Sequence, residues 1–294
     1  MNSLSRALWL TARPKTLAAS VVPVLVGSAL VVMQGAPLKP WISLCALASA
    51  MFIQIGTNFI NDAIDFEKGA DREGRLGEAR ATQQGWFTKR TVMALGLGCF
   101  ALAMLLGLPL VWQGGWPILV VGLISLLMGY AYTGGPFPLA YLGLGDLFVL
   151  IFFGLVSVGG IYYLQTATYT WSTLVAGLQV GLLATVLIAI NNLRDLDQDR
   201  EVNKRTLAVR LGPKLGRLEV LLLVLVAFGL NLYWLGRGNV FAFALPLLAL
   251  PPAVRLVQTL VRTEAGRHYN QLLARAAMIH MLFGVLLSIG FALR

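Results

Sequence analysis

The chain has 294 residues, 57% of them hydrophobic and 12% charged, with a formal net charge of +10. Soluble domains carry roughly 25% charged residues, so a soluble enzyme is excluded. A basic nucleic-acid binder is excluded as well, because the cations lie between apolar runs rather than in one patch. Cys45 and Cys99 both fall inside apolar runs, which speaks for small buried side chains and against a disulfide framework.

A helical bilayer crossing takes about 20 apolar residues, and the chain divides into nine such runs. The first, about 16–33, follows Arg6, Arg13 and Lys15; it is too long for a signal-peptide core and lacks a cleavage pattern, so it is expected to be retained. The second, about 41–62, runs into Asn61-Asp62-Ala63-Ile64-Asp65, and a charged loop over about 63–90 follows. Runs three and four, about 91–112 and 116–133, meet at Gln113-Gly114-Gly115. The uncharged turn Thr133-Gly134-Gly135-Pro136-Phe137-Pro138 leads to the fifth, about 143–164. The sixth, about 171–192, ends in Asn191-Asn192-Leu193-Arg194-Asp195, followed by Asp197, Asp199 and a second charged loop over about 193–217. Runs seven to nine, about 218–235, 240–261 and 271–292, close the chain. The expectation is an all-α membrane protein with nine transmembrane helices, a single integral membrane domain over 1–294. Glycine turns in the two long loops point to ordered caps over the membrane.

With the N-terminus inside, 20 of the 23 basic residues and every acidic one fall on the cytoplasmic side, leaving Lys39, Arg237 and Arg294 outside. That bias obeys the positive-inside rule. It predicts a multi-pass protein of the inner (plasma) membrane whose N-terminus and working face are cytoplasmic.

Acids at the ends of apolar spans are costly, about 2.5–3.5 kcal/mol each at a helix centre, and so point to function. Residues four apart share a helix face. Asn61 therefore stacks on Asp65, and Asn191 on Asp195 and Asp199, with Asp62 and Asp71 beside the first set. The clusters end the second and sixth runs, hinting at an internal repeat. Amide and carboxylate oxygens suit a hard cation such as magnesium, which takes one or two carboxylates, waters and substrate phosphate oxygens. Lys68, Arg72, Arg75 and Arg80 follow the first cluster, and Lys204 and Arg205 the second. Arginine forks and lysine point charges bind oxyanions. Metal-holding oxygens beside phosphate-holding cations describe a diphosphate site better than the rival, a cation transporter.

These clusters resemble the two aspartate-rich motifs of the UbiA-type intramembrane aromatic prenyltransferases. Within that superfamily the chain is most similar to the 1,4-dihydroxy-2-naphthoate polyprenyltransferases of menaquinone and phylloquinone synthesis. The narrower likeness rests on Arg13-Pro14-Lys15-Thr16, on Gly69-Ala70-Asp71-Arg72-Glu73-Gly74-Arg75, on Gly134-Gly135-Pro136 through Tyr141, and on Lys204-Arg205-Thr206-Leu207-Ala208-Val209. Where many members have a third acid, this chain has Gly69 and places Asp71 two residues later, as the naphthoate branch does and the 4-hydroxybenzoate branch does not.

The resemblance implies transfer of a polyprenyl group from polyprenyl diphosphate to 1,4-dihydroxy-2-naphthoate with loss of carbon dioxide. Magnesium would be held by Asp65, Asp195 and Asp199 with Asn61, Asn191, Asp62 and Asp71 nearby. Tyr130 and Tyr132 could face an allylic cation or anchor at the interface. Asp146 could pair with an arginine or help deprotonate the naphthol. Arg13 or Lys15 would bind the acceptor carboxylate, and the apolar walls the prenyl tail, with lateral access from lipid. His268 and His280 are read as structural. Another aromatic acceptor is the alternative.

Overall fold

In the computed structural model, residues 3–71 and 74–293 are described. Among them every element is helical. A bilayer core offers no water to unpaired backbone groups, so each span must satisfy its own N–H and C=O groups, and a helix does this within one segment. The long elements are α2 (Pro14–Met33), α3 (Pro40–Glu67) and α4 (Lys89–Gly114). Then come α5 (Trp116–Ala131), α6 (Gly145–Thr166), α7 (Trp171–Arg194), α9 (Leu207–Gly236), α10 (Val240–Arg262) and α11 (Tyr269–Ala292). Two short helices, α1 (Ser3–Ala12) and α8 (Leu196–Glu201), lie outside the spans.

Eight described helices are long and apolar enough to cross a membrane. The fourth apolar run becomes α5, at 16 residues shorter than the length expected for a crossing. α7 is the central post: 72% of its apolar window is buried, against 22% for α3 and α4. A buried polar knot ties it to α9. The Gln179 amide donates to Asn231 Oδ1 at 2.7 Å and to the Ala227 carbonyl at 3.1 Å, and accepts from the Trp234 indole at 2.8 Å.

The loop after α3 folds into a cap. Gly69 follows α3 with a φ of 71°, the left-handed conformation that glycine adopts without penalty. Side chains from α3 itself and from two other helices then fasten the loop. Asp62 of α3 accepts from the Ala81 and Thr82 amides at 2.8 and 3.2 Å, and from the Thr82 hydroxyl. Gln198 of α8 accepts from the Leu76 amide at 3.4 Å and donates to the Gly74 carbonyl at 3.3 Å. Asn270 of α11 donates to the Leu76 carbonyl at 2.8 Å. The cap thus closes over the end of the bundle where α3 and α7 terminate.

Candidate active site

Under the cap, α2, α3, α5, α6 and α7 enclose a cavity of about 230 Å³. Its polar end holds the clusters. α3 continues past the apolar run to Glu67, so Asn61 and Asp65 stay on one helical face and both line the cavity. Asn61 accepts from the Thr133 hydroxyl at 2.7 Å. Asp65 accepts from the Tyr141 hydroxyl at 3.0 Å and lies 3.6 Å from Arg80.

The second cluster is built differently from the continuous stripe expected. α7 stops at Arg194, and Asp195 (φ −94°, ψ 6°) turns the chain into α8. Asn191 and Asp195 line the cavity, while Asp199 is buried behind them, 3.4 Å from Lys204. Arg194 grips Asp195 through Nε and Nη2 at 2.7 and 2.6 Å and donates to Asn191 Oδ1 at 2.9 Å. Its third contact is Asn270 Oδ1, at 2.6 Å. Burial works to raise Asp195, yet Arg194, Arg75 and Lys204 together hold it below the ordinary carboxylate range. Burial pushes Asp199 up to about 6 against the pull of Lys204. Burial likewise opposes the charge on Lys204, but the field of Asp199, Asp65 and Asp195 outweighs it and holds the ammonium above its usual value.

Arginines join the two clusters. Arg75 pairs with Asp71 and lies 4.0 Å from Asp195; Arg80 lies 3.3 Å from Asp71. Tyr141 stands between two lysines, with Lys68 Nζ 4.3 Å and Lys204 Nζ 5.6 Å from its ring centroid. Lys68 also donates to the Thr133 carbonyl at 2.6 Å. Arg13, left-handed at φ 54° between α1 and α2, lines the cavity with a buried Nη2 that makes no hydrogen bond.

Of the residues singled out in the sequence, Asn61, Asp65, Asn191, Asp195, Arg75, Arg80, Lys204, Arg13, Tyr132 and Asp146 line one cavity. Asp62 and Asp71 do not: the first is committed to the cap backbone, the second to Arg75 and Arg80 behind the wall. Lys15 pairs outward with Glu78 at 2.6 Å, and Tyr130 and Arg205 are exposed away from the cavity. Arg72 lies outside the described residues. Among the described residues Asp146 has no arginine partner: its Oδ2 accepts from Asn192 at 3.3 Å and its Oδ1 is buried without a hydrogen bond. Arg194 and Asn192, to which the sequence assigns no role, hold Asp195 and Asp146. The signal for Arg194 was its place three residues after Asn191, on the same helical side.

Among the described residues no three His, Cys, Asp or Glu side chains gather into a preformed metal cluster. The donor set is nevertheless oxygen throughout, and Asp199 Oδ2 is buried with no hydrogen-bond partner. One carboxylate from each side, completed by substrate phosphate, is how magnesium is commonly bound; the residues fit that ion.

Helices of membrane length, a capped polar pocket and an apolar cavity beneath define a multi-pass membrane protein with a polar, cation-lined pocket at one end of its bundle. Residues 20–286 match the UbiA prenyltransferase family, and the chain belongs to it. It is similar to the 1,4-dihydroxy-2-naphthoate octaprenyltransferase of Bacillus subtilis (strain 168), 30% identical over 98% of this chain and 93% of that protein. The enzyme of the same name from Escherichia coli (strain K12) is 38% identical over 82% of each. A UbiA homolog from Archaeoglobus fulgidus, solved with GPP and Mg2+, shares the fold with a TM-score of 0.64 at 15% identity, over 98% of this chain and 100% of that one.

Proposed function

We propose that this protein transfers a polyprenyl group from polyprenyl diphosphate to 1,4-dihydroxy-2-naphthoate with loss of carbon dioxide, giving the demethylated naphthoquinol. The observation that carries the reading is convergence: Asn61 and Asp65 of one cluster, Asn191 and Asp195 of the other, and three of the neighbouring cations line one cavity whose far walls are apolar. The names of the Bacillus and Escherichia relatives supply the acceptor.

Asp65, Asp195, Asp199, Asn61 and Asn191 would hold magnesium, which when bound would neutralise the diphosphate and stabilise the charge that develops as it leaves. Arg75, Arg80 and Lys204 grip the same oxygens, and preorganised cations at a developing charge lower the barrier. The allylic carbon–oxygen bond breaks, and the electrons leave with diphosphate. The Tyr132 ring faces the resulting cation. Arg13 holds the acceptor carboxylate, and the unpartnered Oδ1 of Asp146 takes the proton of a ring hydroxyl. The ring carbon bearing the carboxylate forms the new carbon–carbon bond, carbon dioxide departs from it, and the proton held by Asp146 returns to the ring oxygen as aromaticity is restored. Membrane lipid supplies the prenyl donor through the bundle's side, and the site faces the cytoplasm.

The test supplies 1,4-dihydroxy-2-naphthoate and a polyprenyl diphosphate to purified protein in detergent or membranes, with magnesium or with chelator. Magnesium-dependent release of carbon dioxide and a prenylated naphthoquinone is the expected result. Product only with 4-hydroxybenzoate or homogentisate would overturn the acceptor; no product with any aromatic would overturn the reaction.

A further inference from the structure

α6 is not a uniform helix. Leu150–Val156 forms a π turn, closed where the Ser157 amide reaches the Phe152 carbonyl five residues back. The Ser157 hydroxyl donates to that carbonyl too, at 2.6 Å. Such turns are rare and gather at functional sites because each inserts one residue into the helical register. Here the insertion turns consecutive residues, Phe152 and Phe153, toward the cavity together with Phe148.

The rings form a row. Phe148 and Phe152 stack with centroids 4.4 Å apart and planes 24° from parallel, and Tyr132 meets Phe148 at 5.7 Å. The Tyr132 hydroxyl lies against Gly145, 3.0 Å from where a Cβ would stand, beside Asp146. One end of the row is therefore polar, at Tyr132, Asp146 and Asn192, and it becomes wholly apolar by Phe152. Ala50, Ile53 and Gly129, on α3 and α5, also line the cavity but carry no ring.

We infer that the π turn of α6 builds the seat for the acceptor's ring system, with Phe148 and Phe152 as the residues that select a flat fused bicycle, while the prenyl chain runs along Ala50 and Ile53. This rests on the function proposed above. Two rings stacked on each other shield the faces between them and leave a rigid pair of edges to a ligand, and edge-to-face contact contributes beyond area burial alone. A fused bicycle anchored by its hydroxyl at Asp146 spans the edges of both rings, whereas a single ring reaches only the nearer one. A flexible branched chain gains nothing from planarity and needs only apolar width. The turn is held by backbone: a Cβ on Gly154 would lie 2.4 Å from the Gly177 carbonyl oxygen of α7.

The experiment measures binding of the air-stable probe 1-hydroxy-2-naphthoate to the full-length protein in nanodiscs, and KM for both substrates, in the wild type, Phe152→Leu, Phe152→Tyr and Ile53→Trp. Phe152→Leu is expected to weaken the probe and raise the acceptor KM about three- to tenfold, leaving the donor KM within about twofold. Phe152→Tyr keeps the ring and should bind as the wild type, and Ile53→Trp should raise the donor KM alone. If Phe152→Leu lowers the melting temperature, Phe148→Leu serves in its place. An unchanged acceptor KM, or a rise confined to the donor, overturns the inference while wild-type turnover upholds the reaction. A wild type that turns over no aromatic acceptor overturns the function instead.

Discussion

The side chains of the site are held by one another before any ligand arrives. Asp195 is clasped by Arg194, Asp71 by Arg75 and Arg80, and Asp199 lies beside Lys204. A buried ion pair deprived of one partner leaves an uncompensated charge, which costs several kcal/mol. The clasp therefore keeps the oxygens of Asp195 and Asn191 in place. Asp65→Ala and Asp195→Ala are expected to lower turnover at least about 100-fold while each variant is still recovered in the membrane. Near-normal rates in both, at matched expression, would exclude the proposed metal site. Arg194→Lys keeps the charge but cannot reproduce the two-point grip. It should lose about tenfold or more in turnover, measured against Arg217→Lys, whose guanidinium donates to the Thr263 carbonyl away from the cavity.

At the scale of elements, the cap matters as much as the spans. Asp62 sits in the same polar cluster as Asn61 and Asp65, yet its oxygens serve the Ala81 and Thr82 backbone. Helical geometry explains the division: Asp62 lies one residue, about 100°, around α3 from Asn61. Asp62→Ala would strand two buried amides, at about 1–3 kcal/mol of local stability. Faster amide exchange at Ala81 and Thr82 is expected, with the exchange of α7 unchanged; equal protection would show that the cap is held by other contacts. The kink after α7 has a comparable role. By ending α7 at Arg194, it lets Asp199 approach from α8 rather than continue along one stripe.

Over the whole molecule, close packing of helices in lipid depends on small residues that let backbones approach. Gly27 on α2 faces Ile161 of α6, where an added Cβ would lie 2.9 Å from the Ile161 Cβ. Gly27→Val is expected to cost about 1–3 kcal/mol through overpacking, read as a lower melting temperature in detergent; an unchanged melting temperature would mean that the two helices separate freely. The placement of charge makes a second prediction at this scale. In a background with Cys45 and Cys99 replaced by alanine, Gln83→Cys should be labelled only from the cytoplasmic side and Gln113→Cys only from the outside. The reverse pattern would invert the orientation drawn from the positive-inside rule.

Much was legible in the chain itself. Long apolar runs dictate membrane helices because no other element satisfies its backbone in lipid. Acids four residues apart at the ends of two runs mark paired faces, a local property of helical geometry. Contacts between distant segments were not legible. The commitment of Asp62 to a loop about twenty residues on, the Arg194–Asn270 hydrogen bond and the Asp146–Asn192 pair each depend on which helices become neighbours. The same limit applies to α6: its π turn answers to the glycine faces of α7, which no periodicity within the run records. Sequence alone determined the elements and the chemistry available at their ends, because those follow from short-range geometry and transfer energy. Only the tertiary structure decided which of those groups share the cavity and which hold the wall, because that choice is made by packing between elements.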